Sequence, residues 1–176
     1  HRVDRRQRQM CIRDRLYVLA GFRSAMVAAK LGLGVILGGP VATQEAAARV
    51  YREHALADAP PIISSLNIAV AETSAAARDL LLPEAYAKVR AQSTGEFATL
   101  RPAGELDMDA LTGQQRRRIE EALAHDVWGT VEEVREELRG VGKRLGVSEF
   151  VVTGDMPDVA GRARSEELLA SMQVEN

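Results

Sequence analysis

Cysteine is nearly missing from this chain. Cys11 is the one thiol in 176 residues, which excludes an internal disulfide framework and a cysteine-built zinc site. Aromatic residues make up only 4%, too few to form stacking platforms along a single-stranded nucleic acid. Charge of one sign is lacking as well. Lys and Arg number 23 against 25 Asp and Glu, a net of −2, so there is no overall basic footprint for a nucleic-acid partner. No apolar run reaches the roughly 18 residues of a membrane span, and no signal peptide is recognisable. What is present is 46% hydrophobic and 27% charged residues, the composition of a soluble globular chain long enough to bury a real core. The expectation is a reduced, cytoplasmic protein with no nucleic-acid and no membrane partner.

The first fifteen residues, HRVDRRQRQMCIRDR, stand apart. They carry six Arg and two Asp, a net of +4, which leaves −6 on the rest. They show no apolar periodicity and so have no face to bury. A basic nucleic-acid arm, a targeting peptide and a non-native scar are the competing readings. The stretch QMCIRDR resembles translated adapter read-through of the kind found at the head of metagenomic fragments, and transit peptides would want more Ser and an amphipathic face. Residues 1–15 are therefore expected to be a disordered, adapter-derived segment, and Cys11 is given no role.

From Leu16 the chain alternates. LYVLA (Leu16–Ala20), Val35–Leu37, IISSLNIAV (Ile62–Val70) and EFVVT (Glu149–Thr153) are short, nearly continuous apolar runs, as expected of strands covered on both faces. Helical stretches follow each: Phe22–Leu31 with Gly32 as a stop, Thr43–Ala57 broken by Pro60 and Pro61, a helix from Thr73 to Leu82 or on to Ala91, and a last helix after Pro157. Two further helices are expected after the third strand, at about Leu111–Ala124 and from Thr130. There Thr130 and Glu133 have capping-box spacing, and Val131, Val134, Leu138, Val141 and Leu145 make one apolar stripe. Gln92–Asp109 is punctuated by Gly95, Pro102 and Gly104 and reads as a long loop. Strand–helix alternation predicts parallel strands with crossover helices, in an open doubly wound sheet or a barrel.

Both architectures bind ligands at the carboxyl ends of the strands. Those ends read Ala20-Gly21, Gly38-Gly39, Ala71-Glu72-Thr73 and Thr153-Gly154-Asp155. At the first, Gly21, Phe22, Arg23 and Ser24 open a helix whose free amides, cation and hydroxyl would suit a phosphate. An ordinary strand-to-helix turn is the plain alternative, and neither a P-loop nor a G-x-G-x-x-G following a strand is present. His54 reads as solvated. His125-Asp126 is an acid/base pair or, more plainly, a helix-end His with its neighbour. No metal site is expected, since ligand partners are lacking. No Ser, Ser24 and Ser165 included, lies in a nucleophile elbow. Arg116–Arg118 followed by Glu120 and Glu121 is a solvated helix face. Arg162 and Arg164 reach an anion at the last strand's end or pair with Glu166 and Glu167.

Four segments carry a resemblance. SAMVAAKLGLGVILGG (Ser24–Gly39) is similar to an SA-x-x-AA-x-LGL stretch leading into a barrel strand. NIAVAETSAAARDL (Asn67–Leu80) resembles a strand with a VAET-x-x-A turn, and WGTVEEVREEL (Trp128–Leu138) a G-T-P-E-x-V helix start. GVSEFVVTGDMPDVAGRARSEELLA (Gly146–Ala170) resembles a strand and a closing R-x-R-S-x-E-L-L helix. Together, and in this order, they resemble the C-terminal half of the luciferase-like flavin-dependent monooxygenases.

The resemblance implies a parallel α/β fold of TIM-barrel type. Here it would be a C-terminal half barrel of four strand–helix units over residues 16–176, with extra helices after the third strand. A full barrel takes about 250 residues, so the chain is expected to be truncated. The resemblance further implies reduced FMN supplied by a separate flavin reductase, with a deazaflavin as the alternative, and oxygen and a small organic molecule as co-substrates. Gly21, Phe22, Arg23 and Ser24 would hold the cofactor phosphate. No catalytic residue is carried over. Many members have Gly-Ser-Ser where this chain has Leu19-Ala20-Gly21, and Ser-His-Phe where it has Gly39-Pro40-Val41. Backbone amides, Arg23 and Ser24 would replace the first set, and a role of that His does not transfer. The Gln92–Asp109 stretch would suit a lid or a disordered insertion. The parent is thus expected to be an oxidoreductase and the chain alone inactive. The alternative is a non-catalytic half barrel that forms a homo-oligomer through its unpaired strand edges or binds flavin without turnover. An open-sheet phosphosugar or nucleotide binder ranks last.

Overall fold

The computed structural model describes residues 16–172. The expectations for residues 1–15, Cys11 among them, fall outside these. The described chain runs β1 (Tyr17–Ala20), α1 (Phe22–Lys30), β2 (Gly34–Leu37), α2 (Val41–His54), β3 (Ile62–Val70) and α3 (Ser74–Thr94). After a 3-10 turn at Ala103–Glu105 come α4 (Gly113–Leu123), β4 (Val127–Gly129), α5 (Val131–Leu145), β5 (Glu149–Thr153) and α6 (Val159–Ser171). Strand and helix alternate as expected, and β1 pairs with β2, β2 with β3, and β3 with β4, all parallel. β5 also pairs with β3.

Three expectations need correction. There is a fifth strand, β4, where only a connection was expected. It is three residues long and holds a Gly, so it carries no strand pattern of its own. α3 takes the longer of its two expected courses, through Pro83, and goes three residues beyond Ala91, stopping at Gly95 with φ +74 and its amide on the Ala91 carbonyl at 2.8 Å. The expected loop from Gln92 thus loses its first three residues to α3 and three more to the 3-10 turn.

The chain divides into two compact units. One takes the residues up to Ser65 with Val141–Val151, the other Leu66–Gly140 with the residues from Val152 on. In the first, the register Ala20↔Leu37 and Leu37↔Ser64 aligns the strand ends. Its core is built from small side chains. Ala25, Ala28 and Ala29 of α1 and Ala47 and Ala48 of α2 pack with Val35, Leu37, Tyr51 and Ile62. Alanine costs no side-chain entropy and favours helix. The buried side of α2 is a 44/47/48/51 stripe headed by a polar residue, Gln44. Gln44 is fully enclosed, and its amide is satisfied throughout. Nε2 donates to the carbonyls of Gly39 (2.8 Å) and Ser65 (3.2 Å), and Oε1 accepts from the Ser64 hydroxyl (2.7 Å). The Tyr51 hydroxyl lies 2.8 Å from the Leu33 carbonyl and 3.1 Å from that of Pro60. Burial, and then the neighbouring Tyr17, raise its pKa. α5 ends on Gly146 at φ +62, with the Val147 amide returning to the Gly142 carbonyl at 3.0 Å. This is a Schellman close. The Arg52 guanidinium donates to the Leu145 carbonyl and, at 3.1 Å, to that of Gly146.

In the second unit, Ala77, Leu80, Leu81, Leu82, Ala85 and Val89 of α3 pack with Leu111, Ile119 and Leu123 around α4. Thr112 and Gln115 form a reciprocal capping box at the start of α4. The expected box at α5 is present too. The Thr130 amide donates to the Glu133 carboxylate at 2.8 Å, and the Glu133 amide to Thr130 Oγ1 at 3.4 Å.

Replacing Gln44 with Ala strips partners from two carbonyls and a hydroxyl in a closed core. The expected loss is about 2–3 kcal/mol, read as a lower urea midpoint at unchanged slope. A loss under 0.5 kcal/mol would show that water replaces the amide.

Candidate functional site

The sequence places a ligand site at the carboxyl ends of the strands, beginning at Gly21. The parallel register sets Ala20 beside Leu37, so the turns at Gly21 and Gly38 lie at one level. Gln44 pins the second turn by its bond to Gly39, a residue held at φ +85. A Cβ on Gly21 or Gly39 would meet nothing within 4 Å, so both backbones border open space. α1 begins at Phe22 with Gly21 as its cap. The Ser24 hydroxyl is engaged locally, accepting from the Gly21 amide at 3.0 Å and facing the Gly21 carbonyl at 3.3 Å. It does not stand out as a free donor. What remains at this helix start are the first-turn amides and the exposed Arg23 guanidinium, which has no ion-pair partner among the described residues.

A second strand end, in the other unit, is more heavily built. The last amide of β3, on Val70, donates to Ser165 Oγ at 2.8 Å, and Ser165 is buried. One residue on, the Ala71 amide donates to the Gly129 carbonyl at 3.1 Å. Arg164 Nε donates to Glu72 at 2.9 Å, and its Nη1 to Glu167 at 3.2 Å. Thr73 caps α3 through the Ala76 amide at 3.2 Å, and the Ser74 hydroxyl donates to Glu133 at 2.6 Å. A Cβ on Gly129 would sit 2.6 Å from that Glu133 carboxylate, so a larger residue would displace the cap. Three of the four segments that carry the family resemblance therefore bond to one another around the end of β3. The bond from Arg164 lowers the Glu72 pKa, and Glu72 in turn raises that of Arg164. The bonds from Ser74 and the Thr130 amide lower that of Glu133.

This geometry settles Arg162 and Arg164. Arg162 faces Glu166 at 3.7 Å, and Arg164 is occupied by Glu72 and Glu167, so the pairing reading holds rather than the anion site. Sequence reasoning missed Ser165 and Gln44 as buried anchors. The signal was available, since 165/168/169/172 repeats the 44/47/48/51 spacing, an apolar stripe headed by one polar residue.

His125-Asp126 lies at the amino end of β4, opposite the carboxyl edges where ligands bind in parallel α/β folds. His125 is exposed. Asp126 is half-buried, accepts from Asn67 Nδ2 at 3.1 Å, and Asn67 Oδ1 accepts from Thr153 at 2.9 Å. Burial pushes its carboxyl up to about 6, against the Asn67 bond that favours the charged form. Asp126 is thereby tied into a hydrogen-bonded array with Asn67 and Thr153. Among the described residues there is no group of three or more His, Cys, Asp and Glu able to hold a metal, and no helix long and apolar enough to cross a membrane.

No protein-family model and no curated protein matches this sequence. Solved structures do. MsnO8 is similar over 88% of this chain, with a TM-score of 0.69 and 25% identity. The oxygenating constituent of 3,6-diketocamphane monooxygenase from Pseudomonas putida, a type II Baeyer–Villiger monooxygenase solved in complex with FMN, covers 88% with a TM-score of 0.61 and 15% identity. The long-chain alkane monooxygenase LadA covers 90% with a TM-score of 0.55 and 18% identity. The chain has their parallel α/β fold. It spans 49%, 46% and 42% of these three proteins, about half of each.

The Asp126 carboxyl gives a signed pH dependence. Its folded pKa, about 6, lies above the unfolded value of about 3.9. The folded state holds the proton more tightly, so stability falls as pH rises from about 4 to about 6. Asp126→Asn keeps the acceptor for Asn67 and removes this slope. It should gain about 1–2 kcal/mol at pH 7, a figure reduced for the carboxyl's partial exposure. Denaturant melts at pH 4.5 and 7 check this, and equal pH dependence in both proteins would refute it.

Proposed function

We propose that this chain is the C-terminal half of a luciferase-like flavin-dependent monooxygenase, a cytoplasmic oxidoreductase that uses reduced FMN and oxygen on a small organic substrate. The observation that carries the reading is the fold match over 88–90% of the chain to about half of larger monooxygenases, coupled to the four resembling segments in their order. The FMN phosphate sits at the first-turn amides of α1 beside Gly21 and Phe22, with Arg23 as counter-charge and Ser24 bracing the turn. A helix N-terminus and a guanidinium favour an anion for the same electrostatic reason. FMN supplies the oxygen-activating chemistry when bound. The residues of this chain bind and orient its phosphate end and place no acid or base at the reacting atoms. The chain alone is therefore inactive, and a separate reductase supplies the reduced flavin of the complete enzyme.

Apolar exposure supports the half-barrel reading. Leu16, Leu19, Phe22, Val27 and Leu31, on or beside β1 and α1, are each half or more exposed, Leu19 by 74%. Clustered exposure of this kind marks a surface that another element covers. The remaining strand–helix units of the parent would cover it. A second copy pairing along β1 would cover it equally, which keeps a homo-oligomer as the second reading. Sedimentation of wild type against Leu19→Lys separates the two, since only a dimer through this edge dissociates.

Titration of the purified chain with FMN and with riboflavin tests the cofactor assignment. FMN should bind more tightly than riboflavin, and Arg23→Glu should weaken FMN about fivefold to tenfold while leaving riboflavin unchanged. Equal affinity for the two flavins would remove the phosphate from Gly21–Ser24. Tighter binding of a deazaflavin would change the cofactor and keep the site.

A further inference from the structure

The segment after α3 does not stand off the protein as a free loop. It folds back along the helix and closes a cavity of about 260 Å³ in the second unit. Pro83, Tyr86 and Ala87 of α3 form one wall, and Leu100 and Leu106 of the returning segment form the other. Tyr86 and Leu106 also pack on the core cluster, and the Tyr86 hydroxyl reaches the Asp107 carbonyl at 3.4 Å. Tyr86 to Arg90 lie 12 to 16 residues into α3 from Ser74. At 1.5 Å per residue that is about 18–24 Å from the carboxyl edge of β3. The cavity is thus well away from the carboxyl edge of β3.

Its charges are unusual for an apolar pocket. Arg90, Arg101, Glu96 and Glu105 all line it. None of the four has an ion-pair partner among the described residues, although elsewhere Arg and Glu side chains of this chain pair readily. Arg90 is half-buried, while the other three are exposed. A third carboxylate, Asp107, is turned onto its own loop and accepts from the Ala110 amide at 3.0 Å. Cations and anions line one cavity without pairing. An anionic ligand would satisfy the guanidinium and be repelled by the carboxylates, and a cationic ligand the reverse. A ligand that carries both charges and an apolar tail suits a lining of this kind.

We propose that this cavity binds an apolar α-amino acid. Its carboxylate meets Arg90, where partial burial strengthens a charge-assisted bond. Its ammonium meets the acidic rim of Glu96 and Glu105, and its side chain lies between Tyr86 and Leu106. The volume of about 260 Å³ admits a molecule the size of leucine. Binding ties the segment from Glu96 to Asp107 to α3 and orders it.

Calorimetric titration of the whole 176-residue chain tests the assignment with three probes: L-leucine, 4-methylpentanoate and 3-methylbutylamine. The two analogues each lack one charge of leucine. Leucine should bind with a dissociation constant of about 1 mM or below, and each analogue at least tenfold more weakly. Arg90→Gln should weaken leucine at least fivefold and leave 3-methylbutylamine unchanged. Glu96→Gln with Glu105→Gln should weaken leucine while sparing 4-methylpentanoate. Arg90 has no partner to lose, so an unaltered circular dichroism melt in Arg90→Gln separates lost binding from lost fold. Leucine binding that is absent, or matched by either analogue, overturns the proposal. Neither outcome touches the flavin site, which the FMN titration judges separately.

Discussion

One hydrogen bond closes the end of β3. The Val70 amide is the last donor of the strand, and it finds the hydroxyl of Ser165, buried in α6 and 95 residues further along the chain. An unpaired amide at that depth would cost about 1–3 kcal/mol, and the neighbouring bonds depend on the strand ending where it does. The Ala71 amide reaches Gly129, Glu72 reaches Arg164, and Thr73 and Ser74 begin α3 while Ser74 holds the cap of α5. Within a few residues the chain leaves a strand, starts a helix and fixes two others. Three of the four segments that resemble the luciferase-like monooxygenases make up this lock. They record how a strand end is held more than what is held there.

The same logic serves the first unit through Gln44. It sits at the head of a helical stripe, as Ser165 does, and its amide binds two carbonyls and a hydroxyl of the strands and turns beside it. A buried polar group that is fully satisfied fixes geometry, because any shift leaves a donor or acceptor dry. The turn at Gly38-Gly39 is held this way, level with Gly21. The flavin-phosphate reading needs such a fixed rim, because the chain offers backbone amides and one arginine where many luciferase-like proteins have hydroxyls.

Most of the architecture was legible in the residues. Short apolar runs closing on Gly marked β1 and β2, and Thr130 with Glu133 marked the start of α5. β4 was not legible, because Val127–Gly129 is too short for a period and is made a strand by pairing with β3. The end of α3 was left open between Leu82 and Ala91 because of Pro83, whose missing amide costs helix locally but whose ring is buried in the helix's packing. At the site, the strand-to-helix turn at Gly21 appeared where expected, but the engagement of Ser24 with Gly21 did not show in the sequence. Burial of Asp126 was equally invisible, since it depends on the chain folding around a residue that sequence alone places in a connection.

The clasp of Arg52 on Leu145 and Gly146 has a consequence in time. Its two sides are 93 and 94 residues apart, and the chain between them makes up most of the other unit. A ribosome adding about 5–20 residues per second needs roughly 5–20 s to reach the second side after making the first. Until then the first unit has its three parallel strands and two helices but neither the Schellman turn nor the segment that follows it. The intervening stretch emerges while the first unit is still open, and its own unit then waits longer still, for Ser165 in α6: each of the two finishes on residues made after the other has begun.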